Sequence, residues 1–153
     1  MTTPTFAVPP VHEPRPYDPE SYRRVAEQLR DALIALAPDD WRRIDLKVRM
    51  TVGACAMDLS ILRKSGGFPL RELTPDIVEF CAELRSLMYR PGEGTWFGMR
   101  FMMDPPDTFW VNYNRKYNPL WNPPLSGEEW AQDLAVFPRN DEHIPEWLRD
   151  RLR

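Results

Sequence analysis

Between Arg43 and Met50 the chain alternates without a break. Ile44, Leu46, Val48 and Met50 are apolar, and Arg43, Asp45, Lys47 and Arg49 between them are charged. Successive side chains of a strand point to opposite faces, so a period of two makes one face dry and the other charged. That is the pattern of a half-buried antiparallel strand. Three more segments carry an apolar face of the same period: Cys55, Met57, Leu59 and Ile61; Phe97, Met99, Phe101 and Met103; Phe109, Val111 and Tyr113. Gly53 marks a turn between the first two segments, "RKSGGF" closes the second, and "DPPDT" separates the last two.

Helix signals fill the gaps. Asp18 is placed to cap a helix whose first position is Pro19, where the missing N–H costs nothing. Tyr22, Val25, Ala26, Leu29, Ala32, Leu33 and Leu36 then form one stripe, and Pro38 ends it. Thr74 and Pro75 repeat the start signal ahead of the stripe Ile77, Val78, Cys81, Leu84, Leu87 and Met88, which "RPGEG" closes. Ser126 and Glu129 have capping-box spacing, with Leu125 and Trp130 as the flanking hydrophobic staple. That helix runs to about Phe137, and Pro145 begins a short last one in which Trp147 and Leu148 pack back. The order helix, strand, strand, helix, strand, strand, helix, helix predicts an α+β domain: an antiparallel sheet of four strands or more with helices on one face. The domain is expected over residues 18–153. Residues 1–17 read as a flexible arm, since six of the 17 prolines fall in the first nineteen residues.

The chain of 153 residues suits one domain, and its 42% apolar residues suffice for a packed core. A net charge of −3 speaks against a nonspecific nucleic-acid binder, which carries a basic face. Acid is concentrated toward the C-terminal part. The start lacks a secretory pattern and no apolar run approaches a membrane span, so the expected compartment is the cytoplasm. Cys55 and Cys81 each sit among apolar residues and read as buried free thiols.

Motifs for catalysis are absent. The chain has no HExxH, Walker loop, GxGxxG or GxSxG, and its two cysteines lack zinc-site spacing. His12 falls in the arm, and His143 sits beside Asp141 and Glu142 at a helix start. Asp104 and Asp107 of "DPPD" read as turn residues. The expectation is a binding protein with no catalytic residue, no metal and no cofactor.

The stretch "FWVNYNRKYNPLWNPP" from Phe109 is where binding residues gather. With Phe109, Val111 and Tyr113 facing the core, alternation turns Trp110, Asn112 and Asn114 to the opposite face. On the preceding strand it turns Trp96, Gly98, Arg100 and Met102 the same way. Tryptophan, arginine and amides with little lysine or glutamate are the composition of a protein-binding surface. The candidate partner-binding residues are Trp96, Arg100, Trp110, Asn112, Asn114, Arg115, Lys116 and Trp121. Two other readings stand beside this one. The C-terminal segment folds over this face and buries the tryptophans, or the same rings bind a small ligand or stack on single-stranded nucleic acid in a regulatory domain.

Three stretches, "LAPDDWRRIDLKVRM", "GTWFGMRFMMDPPDTFWVNYN" and "PLWNPPLSGEEWAQDLAVFPRNDEHIPEWL", resemble the YezG-like immunity proteins of bacterial polymorphic toxin systems, in particular their actinobacterial type. The resemblance spans most of the chain beyond residue 18 and rests on structural motifs. It implies an antitoxin that binds and neutralises a cognate toxin domain by occluding its active site, with no cofactor. Relatives tend to place acidic residues after the fourth strand in a "YD" pattern. Here Tyr113-Asn114-Arg115-Lys116 stands there instead, which points to a different toxin partner or an interface elsewhere.

Overall fold

The computed structural model describes residues 4–8 and 12–153. In chain order the elements are β1 (Thr5–Phe6), α1 (Pro19–Leu36), β2 (Trp41–Met50), β3 (Cys55–Arg63), α2 (Pro75–Leu87), β4 (Gly98–Asp104), β5 (Thr108–Asn114), α3 (Gly127–Val136), a 3-10 turn (Asp141–His143) and α4 (Glu146–Leu152). The strands form one antiparallel sheet in the order β1-β3-β2-β4-β5. Two hairpins, β2–β3 and β4–β5, sit side by side, so the most sharply alternating strand lies at the centre. The α+β class agrees with the sequence pattern; the element order departs from it by β1 ahead of α1 and the 3-10 turn between α3 and α4.

The dry face is covered by α1 and α2. Val25, Leu29 and Leu33 of α1 and Ile77, Val78, Cys81 and Leu84 of α2 share one core with Ile44, Leu46, Val48, Met57, Met99, Phe101 and Met103 of the sheet. Burying each such aliphatic side chain stabilises the fold by roughly 1.5–3 kcal/mol, before the entropy of ordering it. The Asp18 carboxylate accepts from Ser21 N at 3.2 Å, which satisfies one orphan donor at the start of α1. The Tyr22 and Tyr113 hydroxyls meet at 2.6 Å and tie α1 to β5. Both cysteines are free and buried. Burial pushes the Cys55 thiol up to about 12 and raises that of Cys81.

A second, smaller core lies where α3 and α4 meet the start of β4. Phe97, Trp130 and Leu148 are its buried residues, and Trp147 packs edge-on against both Phe97 and Trp130. The capping box of α3 is complete: Ser126 accepts from Glu129 N at 3.2 Å, and Glu129 accepts from Ser126 N at 2.7 Å.

Two expectations change. Of the segment read as an arm, residues 1–3 and 9–11 lie outside the described residues. In the rest, Thr5–Phe6 pairs with Cys55–Ala56 as a fifth, edge strand, Arg15 N donates to the Ser86 carbonyl at 3.2 Å, and His12 is buried against the Phe137 ring. Proline lacks one donor, but the residues between prolines keep theirs and pair with the domain. The second change is at the start of β4. Trp96 and Met99 both belong to the main core, whereas Phe97 belongs to the second. Core positions three apart break a period of two. The cause is local: Asn114 pairs in register with Gly98, yet its carbonyl also accepts from Phe97 N at 2.7 Å. Two residues thus oppose one, the arrangement of a β-bulge, which re-aims the side chains before it.

Candidate functional site

With α1 and α2 on the dry face, the charged face of the sheet is left open. Register places its side chains in rows. Asp58, Lys47, Arg100 and Asn112 form one row across β3, β2, β4 and β5. Ser60, Asp45, Met102 and Trp110 form the next, and Arg49, Gly98 and Asn114 a third. Arg43, Lys47, Asp58, Ser60, Arg100 and Asn112 are all exposed.

Two arginines are held in place on this face. Arg43 makes a two-pronged contact with Asp104, Nε and Nη2 each 2.9 Å from a carboxylate oxygen. Its guanidinium carbon also lies 5.5 Å from the centroid of the Trp110 ring. Arg100 grips Asp45 the same way, at 3.1 and 2.7 Å. Hydrogen bonds from Arg43, then its charge, hold the Asp104 carboxyl below its ordinary range. Exposed pairs of this kind contribute little stability; what they fix is side-chain geometry, because a guanidinium fork docked on a carboxylate has lost its rotamer freedom already. Arg43, Trp110 and Arg100 are therefore pre-organised for contact.

Beside them lies a notch of about 340 Å³ lined by Lys47, Arg49, Asp58, Arg100, Asn112 and Asn114, with Pro119 as a wall. Gly98 lines this space: a Cβ built there meets the Val48 carbonyl at 3.5 Å and the Asn114 side chain at 3.7 Å, ordinary contact distances. Lys47, Arg49 and Arg100 face Asp58 in the lining, with Arg100 docked on Asp45 just outside it. Arg49 Nε donates to the Pro119 carbonyl at 2.7 Å and so carries the 115–125 segment along one end of the face.

Of the eight residues chosen from sequence, Arg100, Trp110, Asn112 and Asn114 share this face. Asn114 spends its amide on the turn that follows: its Oδ1 accepts from Lys116 N and Tyr117 N, and its Nδ2 donates to the Tyr117 carbonyl. Trp121 is half-buried at the rim, beside Phe6, Arg49 and Gly53. Trp96 is corrected. It is 0% exposed in the main core, on the far side of the bulge from where alternation places it. Arg115 and Lys116 also leave the face. Arg115 is half-buried and donates to the carbonyls of Gly94 and Met88 at 3.0 and 2.7 Å, and desolvation lowers its pKa. Lys116 opens onto a separate pocket with it.

The sequence reading left out the centre of the face: Arg43, Asp45, Lys47 and Asp58. The signal for Arg43, Asp45 and Lys47 lies in the charged half of the β2 alternation, and that for Asp58 between the apolar Met57 and Leu59 of β3. What single-strand reading lacks is the order β3-β2-β4-β5, which sets those charges between the aromatic hairpin and the far edge. The C-terminal helices do not cover this face; they close the end of the sheet around Phe97. Among the described residues no group of three or more His, Cys, Asp and Glu side chains is arranged to hold a metal, and no helix is long and apolar enough to cross a membrane. No protein-family model matches the chain, and no curated protein matches it.

Proposed function

We propose that the protein is a cytoplasmic immunity protein of the YezG-like kind, which binds a cognate bacterial toxin domain and neutralises it by covering its active site. One observation carries the reading. The charged sheet face, opposite the one that α1 and α2 cover, bears pre-organised arginines, Trp110 and a notch. Such a surface suits recognition: rigid arginine and tryptophan anchors supply most of an interface's affinity, and surrounding charges set the encounter rate. Lys47, exposed in the notch, and the spare N–H groups of Arg100 favour a partner that brings carboxylates or backbone carbonyls to it. The family resemblance in the β2, β4–β5 and C-terminal stretches supplies the partner class. Inhibition is then steric, and the chain needs no cofactor.

The notch also suits a second reading, a regulator that takes a small anionic ligand or single-stranded nucleic acid on the same face. Nucleic-acid affinity falls steeply with salt, which separates the two.

The test is co-expression with the toxin domain encoded beside this chain. Growth rescue together with a one-to-one complex on purification is the expected result. A toxin that kills equally well in the presence of the folded protein, with no complex formed, refutes the proposal.

A further inference from the structure

Away from the sheet face, three segments converge on a second pocket. The turn after α2 brings Arg90 and Glu93, the turn after β5 brings Arg115 and Lys116, and the segment after α3 brings Arg139 and Glu142. The walls are fixed by backbone and side-chain hydrogen bonds. Arg90 and Gly94 exchange both backbone bonds at 3.0 Å, Asn140 N donates to the Gly92 carbonyl at 2.7 Å, and Trp147 Nε1 donates to the Lys116 carbonyl at 2.8 Å. Arg139 donates to the carbonyls of His143 and Thr95 at 3.0 and 2.7 Å, above the face of the Phe97 ring.

The charges here are out of balance. None of the four cations makes an ion pair within 4 Å among the described residues, whereas Arg43, Arg63, Arg85 and Arg100 all do. Arg115 and Arg139 are both half-buried with carbonyls as their acceptors among the described residues, and each guanidinium keeps N–H groups to spare. Desolvation lowers Arg139 to about 10 against the pull of Asp133, and desolvation with the Arg90 charge lowers Arg115 against that of Glu93. Partly buried charge whose nearest carboxylates stand beyond ion-pair distance is costly unless an anion joins it.

We infer that this pocket binds a compact doubly charged oxyanion, inorganic phosphate or the phosphate of a monoester. Four cations against two glutamates leave the lining two charges in excess, matched by a dianion. Arginine forks suit phosphate geometry. The pocket volume of about 340 Å³ exceeds what a bare phosphate fills and leaves room for the organic part of an ester. Glu93 and Glu142 are placed to accept from hydroxyls on that part. The inference is independent of the sheet face and of the toxin reading.

The experiment titrates the full chain with inorganic phosphate and, separately, with ribose 5-phosphate. It is done at constant ionic strength with chloride as the control, following backbone amide shifts. Saturable binding centred on the 90–94, 115–116 and 139–143 segments is expected. Tighter binding of the sugar phosphate identifies an ester ligand, and equal binding identifies free phosphate. The double variant Arg90→Gln, Lys116→Gln alters two exposed side chains that make no hydrogen bond among the described residues, and it should weaken binding roughly tenfold. Lys64→Gln, an exposed lysine in the turn after β3, should leave it unchanged. Shifts that do not saturate beyond the chloride control, or equal affinity in the folded double variant, overturn the inference.

Discussion

Arg85 and Asp133 close the seam between α2 and α3. Two guanidinium N–H groups reach the two carboxylate oxygens at 2.8 Å each, and both side chains are out of solvent. Arg85 Nε also donates to the Trp96 carbonyl at 2.8 Å, and Asp133 accepts from Val52 N at 2.7 Å. The pair thus ties the two cores together through the β2–β3 turn and the strand entry. Removing one partner leaves the other charge buried and alone. Asp133→Ala should cost about 3–5 kcal/mol, read as a lower urea midpoint. Replacing both, as Arg85→Met with Asp133→Leu, should recover much of that loss, because no charge is then stranded. An Asp133→Ala midpoint equal to wild type would show that the pair is open to water.

His12 gives the fold a pH dependence. The ring packs against Phe137 with neither nitrogen hydrogen-bonded among the described residues. Burial first, then the Arg85 charge, lowers its pKa from an ordinary 6.5 to about 3, against the opposing pull of Asp133. The unfolded chain therefore takes up a proton below pH 6.5 that the folded chain refuses until about 3. His12 stabilises fully above the unfolded value, and its contribution falls with pH through that window by up to about 1.4 kcal/mol per unit. Asp104 and Asp40, held low by hydrogen bonds from Arg43 and Arg63, add their own loss only below their ordinary 3.8. Urea midpoints from pH 7 to pH 4.5 should decline in wild type and stay flat in His12→Phe. Parallel declines would place the titrating group elsewhere.

The tryptophans at the two ends of the hairpin should behave in opposite ways. Trp96 is fully buried, so Trp96→Ala should destabilise the protein by about 3–5 kcal/mol. Its Nε1 has no partner among the described residues, so Trp96→Phe gives up packing only and should cost much less. Trp110 is half-buried on the open face beside Arg43, and Trp110→Ala should change thermal stability little while weakening partner binding. Calorimetry on the three variants checks the first half of this contrast directly. Equal losses from Trp96→Ala and Trp110→Ala would put both rings in the same environment.

How much of this was legible follows from what is local. Alternation in β2 and β3 and the caps at Asp18 and Ser126 involve neighbours a few residues apart, and these are the features the structure retains. The fate of Trp96 depends on a bulge, in which Phe97 and Gly98 oppose one residue of another strand, and no pattern within β4 announces it. The edge strand at Thr5–Phe6 has too few residues to show a period. The face itself was half legible. Trp110 and Asn112 follow from β5 alone, but placing Lys47 and Asp58 in one row with Arg100 requires the strand order.

The open face should tolerate changes that fill it without unfolding the domain. Gly98 lies mid-row in extended backbone, and the nearest atoms to an added Cβ are at ordinary contact distance. Gly98→Val should therefore fold normally, since a β-branched residue suits a strand, while its methyl groups occupy the notch. Circular dichroism and the urea midpoint check the fold. A large loss of stability would mean that the notch is too tight to accept a side chain.

The most direct measurement is the affinity of the purified toxin domain for the wild-type protein, Trp110→Ala and Gly98→Val, with each variant shown to be folded. If the helix-free face binds the toxin, Trp110→Ala should weaken binding roughly thirtyfold or more, and Gly98→Val should do so as well. Wild-type affinity in both folded variants would contradict the account and move the interface off the sheet.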